Sequence, residues 1–326
     1  MKKLYKRILY LITILILLIV ISIPIYISYW RNNSTVETFH TFKEPSKVSF
    51  CDIRWDSDFL GKEKIEKIAF YVPIKIKGLK GNLFMQFDSG QQTTLFYGKT
   101  LNKLLNSNHT FSIFYDKDSL RYIKNPIIEI AENQFKAKKI RIASSLGSSK
   151  IDTSKIVIGT IGFDAFVNRT LILDFKNDKF AITQKSANDL DYNLNYIDDA
   201  SIDKFPLLIP AKIGNKKTKL FYDTGSSMFP LLTSNKRLRN INDNKTDSLC
   251  CISNWGKQIP VYRKKLNNEI KIGNTTYDNQ SIYGCEVLNT VDYLPSWYLF
   301  GMTGNKLFSG KIVVIDTKNN KFGVEN

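Results

Sequence analysis

The sequence predicts an all-β protein built from two similar lobes, and three observations carry the prediction. Aromatic residues are plentiful, with 21 Phe and 16 Tyr in 326 residues, and with the β-branched residues they favour pleated, half-buried strands. Short alternating apolar runs recur, with Gly, Asn and Asp between them. One pattern is also written twice. Pro73-Ile74-Lys75-Ile76 leads across a charged turn into Leu83-Phe84-Met85-Gln86-Phe87-Asp88-Ser89-Gly90. Pro210-Ala211-Lys212-Ile213 leads the same way into Leu220-Phe221-Tyr222-Asp223-Thr224-Gly225-Ser226. Leu173-Asp174-Phe175-Lys176-Asn177 is echoed by Ile315-Asp316-Thr317-Lys318-Asn319. Asp174 follows Asp88 by 86 residues, and Asp316 follows Asp223 by 93.

Taken in order, the chain opens with a basic tip, Lys2, Lys3, Lys6 and Arg7, followed by an uncharged, almost wholly apolar run from 8 to 30. As a helix rising 1.5 Å per residue this run is about 35 Å long, enough to cross a hydrocarbon layer of about 30 Å. It ends in Tyr26, Tyr29 and Trp30 rather than in small residues, which favours an uncleaved transmembrane anchor over a signal peptide. The charge asymmetry keeps the amino end in the cytoplasm and puts the lobes outside it. Residues 1–30 are then tip and anchor, 31–45 a polar tether, 46–190 the N-terminal lobe and 191–326 the C-terminal lobe. Strands are expected at 47–53, 68–76, 83–87, 111–115, 127–130 and 139–143, with a helix over 100–105. A polar connection at 184–196 joins the copies. The second copy repeats the strands near 207–213, 219–222, 269–272 and 311–316.

Composition removes several function classes. With only two histidines, His40 and His109, neither a serine triad nor a histidine-based metal site is expected. No phosphate-cradling glycine loop and no nucleic-acid-binding module is visible. No metal or cofactor is expected. The net charge of +17 fits either an anionic partner surface or a lysine-rich solvated exterior. The cysteines Cys51, Cys250, Cys251 and Cys285 leave two readings open. One is a disulfide from Cys285 to one of the adjacent pair, permitted outside the cytoplasm; the other is four thiols.

Carboxylates are the remaining chemistry. A single Asp-Ser/Thr-Gly is common in turns, but two in register within a duplicated β unit point to a shared site. Each strand delivers one Asp, the glycine after it lets the backbone approach closely, and the hydroxyl residue can brace the opposite loop. Two carboxyls about 3 Å apart cannot both ionise near neutrality, so they hold one proton between them.

With these residues the chain resembles a bilobal pepsin-like or retropepsin-like aspartic peptidase, from about residue 60 onward. The resemblance rests on Phe87-Asp88-Ser89-Gly90, on Tyr222-Asp223-Thr224-Gly225-Ser226-Ser227, and on a hydrophobic-Gly turn beneath each catalytic loop. That turn is matched to Thr160-Ile161-Gly162 and Leu299-Phe300-Gly301. It implies two β-barrel lobes about a pseudo-two-fold axis, with Asp88 and Asp223 as the catalytic pair. Ser89, Gly90, Thr224, Gly225 and Ser226 would support the loops, and the substrate would be a peptide or protein. Two departures stand out. Gln91 replaces the usual Ser or Thr after the first motif, whereas Ser226 is retained in the second. The family's flap tyrosine has no clear match, although Tyr115 and Tyr122 lie in its interval.

The expected function is therefore membrane-anchored peptide-bond hydrolysis outside the cytoplasm. The alternative is a relative of the same fold that binds a peptide or polymer without cutting it. A two-carboxylate glycosidase would not call for the duplicated motif. Trp55, Trp255 and Trp297 read as core or cleft-wall residues, Asp174 and Asp316 as turn caps, and Asp164 as a local hydrogen-bonding group.

Overall fold

The computed structural model describes residues 37–105, 113–241 and 245–325, with scattered helical residues between 5 and 29. Strands hold 45% of the chain and helices 16%, so the β-rich composition is expressed as a mainly β fold of several sheets, one curled into a half-barrel. Most of the apolar run 8–30 and the tether's 31–36 lie outside the described residues. Among the described residues no helix is long and apolar enough to cross a membrane.

The first copy begins with an edge strand, β1 (His40–Lys43), within the stretch read as tether. After β2 (Cys51–Asp52) comes a long hairpin of β3 (Arg54–Leu60) and β4 (Glu63–Ile76). Its turn is Gly61-Lys62, with Gly61 at φ 66°; glycine first in a two-residue loop matches the twist of paired strands. β5 (Leu83–Phe87) and β6 (Leu95–Tyr97) follow, then helix α1 (Gly98–Leu105). The remaining strands are β7 (Ile113–Tyr115), β8 (Arg121–Lys124), β9 (Ile127–Ile130), β10 (Asn133–Lys136), β11 (Lys139–Ala143) and β12 (Ile156–Ile161). β13 (Thr170–Asp174) and β14 (Lys179–Thr183) close the first copy.

The polar connection carries β15 (Leu194–Tyr196). The second copy then runs β16 (Leu208–Ile213), β17 (Lys216–Tyr222), β18 (Leu232–Ser234) and helix α2 (Asn235–Arg239). It continues with β19 (Asp247–Asn254), β20 (Lys257–Lys265), β21 (Ile270–Ile272), β22 (Thr275–Tyr277), β23 (Ser281–Cys285) and β24 (Gly301–Thr303). β25 (Ile312–Asp316) and β26 (Lys321–Glu325) end the chain.

The duplication is visible in the hydrogen bonding. With β1 at its edge and β3 added on β4, the first sheet runs β10-β9-β4-β5-β12-β6-β11-β8-β7, and the second runs β22-β21-β16-β17-β24-β18-β23-β20-β19. Strand for strand these are the same order. The parallel pairs β5/β12 and β6/β11 recur as β17/β24 and β18/β23. A third sheet is shared, with β13 lying antiparallel to β25 and Ile172 opposite Val314. Every residue of both strands is buried, which is why each reads as a nearly unbroken apolar run. Asp174 and Asp316 cap the turns that follow, Asp174 accepting from the Asn177 amide at 2.9 Å and Asp316 from the Asn319 amide at 2.9 Å.

Two expectations need correction. The strand expected at 47–53 shrinks to β2, which among the described residues pairs with β14 at the edge of its sheet. The segment between 54 and 67, not expected as strand, forms most of the long hairpin. Its charged residues line strands with solvent on both sides, so no apolar alternation marks them.

Candidate catalytic site

Each acid stands at the end of a central strand. Phe87 lies opposite Ile161 and Tyr222 opposite Thr303. The ladders extend one step further: the Asp88 amide donates to Ile161 O and the Asp223 amide to Thr303 O, both at 3.0 Å. Aromatic packing fixes the strands from behind in matching fashion. Phe87 packs on Phe166 and Phe180 at 5.3 and 5.0 Å, and Tyr222 on Phe308 and Phe322, both at 5.4 Å. The one polar addition, the Tyr222 hydroxyl, donates to Asn305 Oδ1 at 2.8 Å, which satisfies it in the core.

The two loops then brace each other. The Ser89 amide donates to Thr224 Oγ1 at 2.8 Å, and the Thr224 amide donates to Ser89 Oγ at 3.0 Å. Each hydroxyl passes its own proton to the opposite strand, Ser89 to Tyr222 O at 3.0 Å and Thr224 to Phe87 O at 3.1 Å. Both residues are fully buried.

This bracing brings the carboxyls into hydrogen-bonding contact. A Cβ added at Gly90 would sit 2.5 Å from Asp223 Cγ, and one at Gly225 would sit 2.6 Å from Asp88 Cγ. Only glycine admits that approach. Burial, then the neighbouring Asp223 charge and the hydrogen bond to it, push the Asp88 carboxyl well above the usual carboxylate range, against the Gly90 and Gln91 amides. Donors are shared unequally. Asp223 accepts from the Gly225 amide and the Ser226 hydroxyl, both at 2.8 Å. Asp88 accepts from the Gly90 amide at 2.9 Å, while the Gln91 side chain turns away to Thr93 O at 3.1 Å. Asp88 is thus the carboxyl placed to carry the shared proton.

The strand register shifts one of the motif matches. Gly301 pairs with Leu220 as Gly159 pairs with Met85, so Gly304, not Gly301, is the counterpart of Gly162. Leu299-Phe300-Gly301 resembles the motif locally, but pairing is set by the whole strand. Asp164 follows Gly162 and is buried. It accepts from the Thr94 hydroxyl at 2.6 Å and the Thr94 amide at 2.8 Å, tying down the loop after Gly90. Burial pushes its carboxyl up to about 7, against those bonds.

A cleft of about 620 Å³ opens above the acids, with Gly90 and Gly225 in its floor. Its walls come largely from two hairpins, β3–β4 with Phe59 and Ile68, and β19–β20 with Ile252 and Trp255. Tyr115 and Tyr122 do not line it; Tyr115 is exposed and Tyr122 stacks on Phe114 at 5.5 Å. Trp55 is packed on Phe70 and bonded to Asp178, as a core residue should be. Trp297 belongs to neither core nor cleft. It is 64% exposed on a turn, edge-on to Tyr298. Cys51, Cys251 and Cys285 are thiols, so Cys285 forms no disulfide with Cys251, and the Cys250 side chain lies outside the described residues. Among the described residues no three His, Cys, Asp or Glu side chains gather to hold a metal ion.

No family model matches this chain, and no curated protein matches it.

Proposed function

We propose that the chain is a two-lobed aspartic endopeptidase of the pepsin-like or retropepsin-like kind, the copies related by a pseudo-two-fold axis through the acid pair. One observation carries the reading: the reciprocal Ser89–Thr224 bonding that holds Asp88 and Asp223 together in the floor of a cleft. The duplicated strand order supports it.

In this reading a water lies between the carboxyls. The ionised member, Asp223, takes its proton as the oxygen attacks the scissile carbonyl carbon. Protonated Asp88 donates to the carbonyl oxygen, giving a neutral tetrahedral diol. Collapse returns a proton to the amide nitrogen, the C–N bond breaks, and acid and amine products leave. The apolar run 8–30 would anchor the chain in a membrane with the lobes outside the cytoplasm. The alternative, a module that binds peptide without cutting it, is favoured by one observation: Gln91 gives Asp88 no side-chain donor to match Ser226.

The test is cleavage of an unbiased peptide library by the full chain between about pH 3 and about pH 8, beside Asp88→Asn and Asp223→Asn. Cleavage lost in both variants and blocked by a statine-type transition-state analogue is the expected result. Analogue binding with no cleavage at any pH supports the binding module, and cleavage surviving in either variant overturns the dyad.

A further inference from the structure

The strands that form the floor of the cleft are paired copy for copy, but those of its roof are not. β16 begins at Leu208, opposite Phe221, which is the register of Tyr71 opposite Gln86 in the first copy. β4 begins at Glu63, so the first copy projects a stretch with no counterpart, whose strand pairing is with β3. The other hairpin is unequal in the opposite sense. Among the described residues β7 and β8 span three and four residues, whereas their counterparts β19 and β20 span eight and nine.

The two long hairpins come from different copies and meet. Leu60, at the turn of the first, is 2% exposed because it is inserted in a cluster of second-copy side chains that includes Phe229, Ile259, Val261 and Tyr283. Glu63 beside it pairs with Arg263 of β20 at 2.7 Å, and Arg263 also reaches Asp247 of β19 at 3.4 Å. β3 lies against β19. At the tip of the second hairpin Trp255 is held at φ +50°, a left-handed conformation rare for a bulky residue. It is 47% exposed at the cleft. That φ, with Gly256 at +84°, closes the two-residue turn between Asn254 and Lys257, and the turn presents the exposed indole to the cleft.

We propose that these two non-equivalent hairpins form one clasped roof over the acid pair. Leu60 and the Glu63–Arg263 ion pair are the clasp that must part to admit substrate, and Trp255 is the residue that grips the substrate beneath it. Leu60, Glu63 and Arg263 are positioning residues, while Trp255 determines specificity. The grip rests on the peptidase reading; the clasp does not.

The test uses the full chain with Arg263→Glu, Glu63→Arg, the double exchange, Trp255→Ala and Trp255→Phe. Cys251 and Cys285 both line the cleft, and maleimide labelling resolved by residue reports how often the roof opens. Arg263→Glu should speed their labelling by about threefold or more at unchanged melting temperature, and the double exchange should restore it. Unchanged labelling in Arg263→Glu overturns the clasp. Trp255→Ala should raise KM, and the Kd of a statine-type peptide, by about tenfold with kcat nearly constant, and Trp255→Phe should recover most of it. KM and Kd unchanged in Trp255→Ala overturn the grip. A wild-type chain that neither cleaves nor binds overturns the peptidase reading and the grip together, while the labelling still decides the clasp.

Discussion

Ser89 and Thr224, 135 positions apart, each accept the other's backbone amide proton and each donate to the carbonyl just before the other's neighbouring acid. Ser89→Ala would leave the Thr224 amide and the Tyr222 carbonyl buried without a partner. An orphaned buried group costs about 1–3 kcal/mol, so Ser89→Ala and Thr224→Ala should each lower the urea midpoint markedly. Thr224→Ser, which keeps the hydroxyl, should stay near wild type. Equal midpoints for Thr224→Ala and Thr224→Ser would sink the bracing argument.

Gly90→Ala and Gly225→Ala press a methyl into the opposite carboxyl. The resulting shift of the acids should cut kcat about 100-fold, with an overpacking cost of about 1–3 kcal/mol. Steady-state kinetics and thermal melts separate the two effects; a fully active Gly225→Ala would contradict the geometry.

Much of the floor was legible in the sequence because each copy repeats it. The strands at 83–87, 127–130 and 139–143 form within the expected bounds, since their apolar residues alternate or fill both faces. Asp88 and Asp223 meet because the same turn is written after both strands. The roof was not legible. Glu63, Lys64, Glu66 and Lys67 lie on a strand with solvent on both sides, so their charges read as loop. Leu60 is buried by a partner about 170 to 225 residues further along the chain, and no local pattern announces such a contact. Gly304 escaped for another reason: a nearby glycine fitted the short motif, and only pairing separates them.

Gln91→Ser would offer Asp88 the hydroxyl that Ser226 gives Asp223. A further donor favours the charged carboxyl, so Asp88 should lose its proton sooner and the alkaline limb of the pH–rate profile should move to lower pH. An unmoved limb would mean that the serine turns away as Gln91 does.

Asp164 links stability to pH. Its carboxyl titrates at about 7 in the folded chain and near 3.8 when unfolded, so between these values the folded state binds more protons. Stability must then fall as pH rises from about 4 to about 7, and the raised Asp88 acts in the same direction. Asp164→Asn should flatten this slope in chemical denaturation at several pH values. An unaltered slope would assign it to other groups.

Trp255 at φ +50° carries a backbone penalty of about 1–2 kcal/mol. Trp255→Asn, suited to that conformation, should therefore raise the melting temperature even as it weakens substrate binding. A lower melting temperature would mean that the indole contributes more packing than the turn costs.

A polypeptide has a direction, and a cleft whose two halves were alike in every part could not tell which way one runs across it. The unequal hairpins remove that ambiguity, because they give the cleft a left and a right. In the peptidase reading, a chain bound over Asp88 and Asp223 meets the β3–β4 hairpin of one copy and Trp255 of the other, and these are not interchangeable. The unlikeness of β3–β4 and β19–β20 then lets the cleft distinguish one end of a bound peptide from the other.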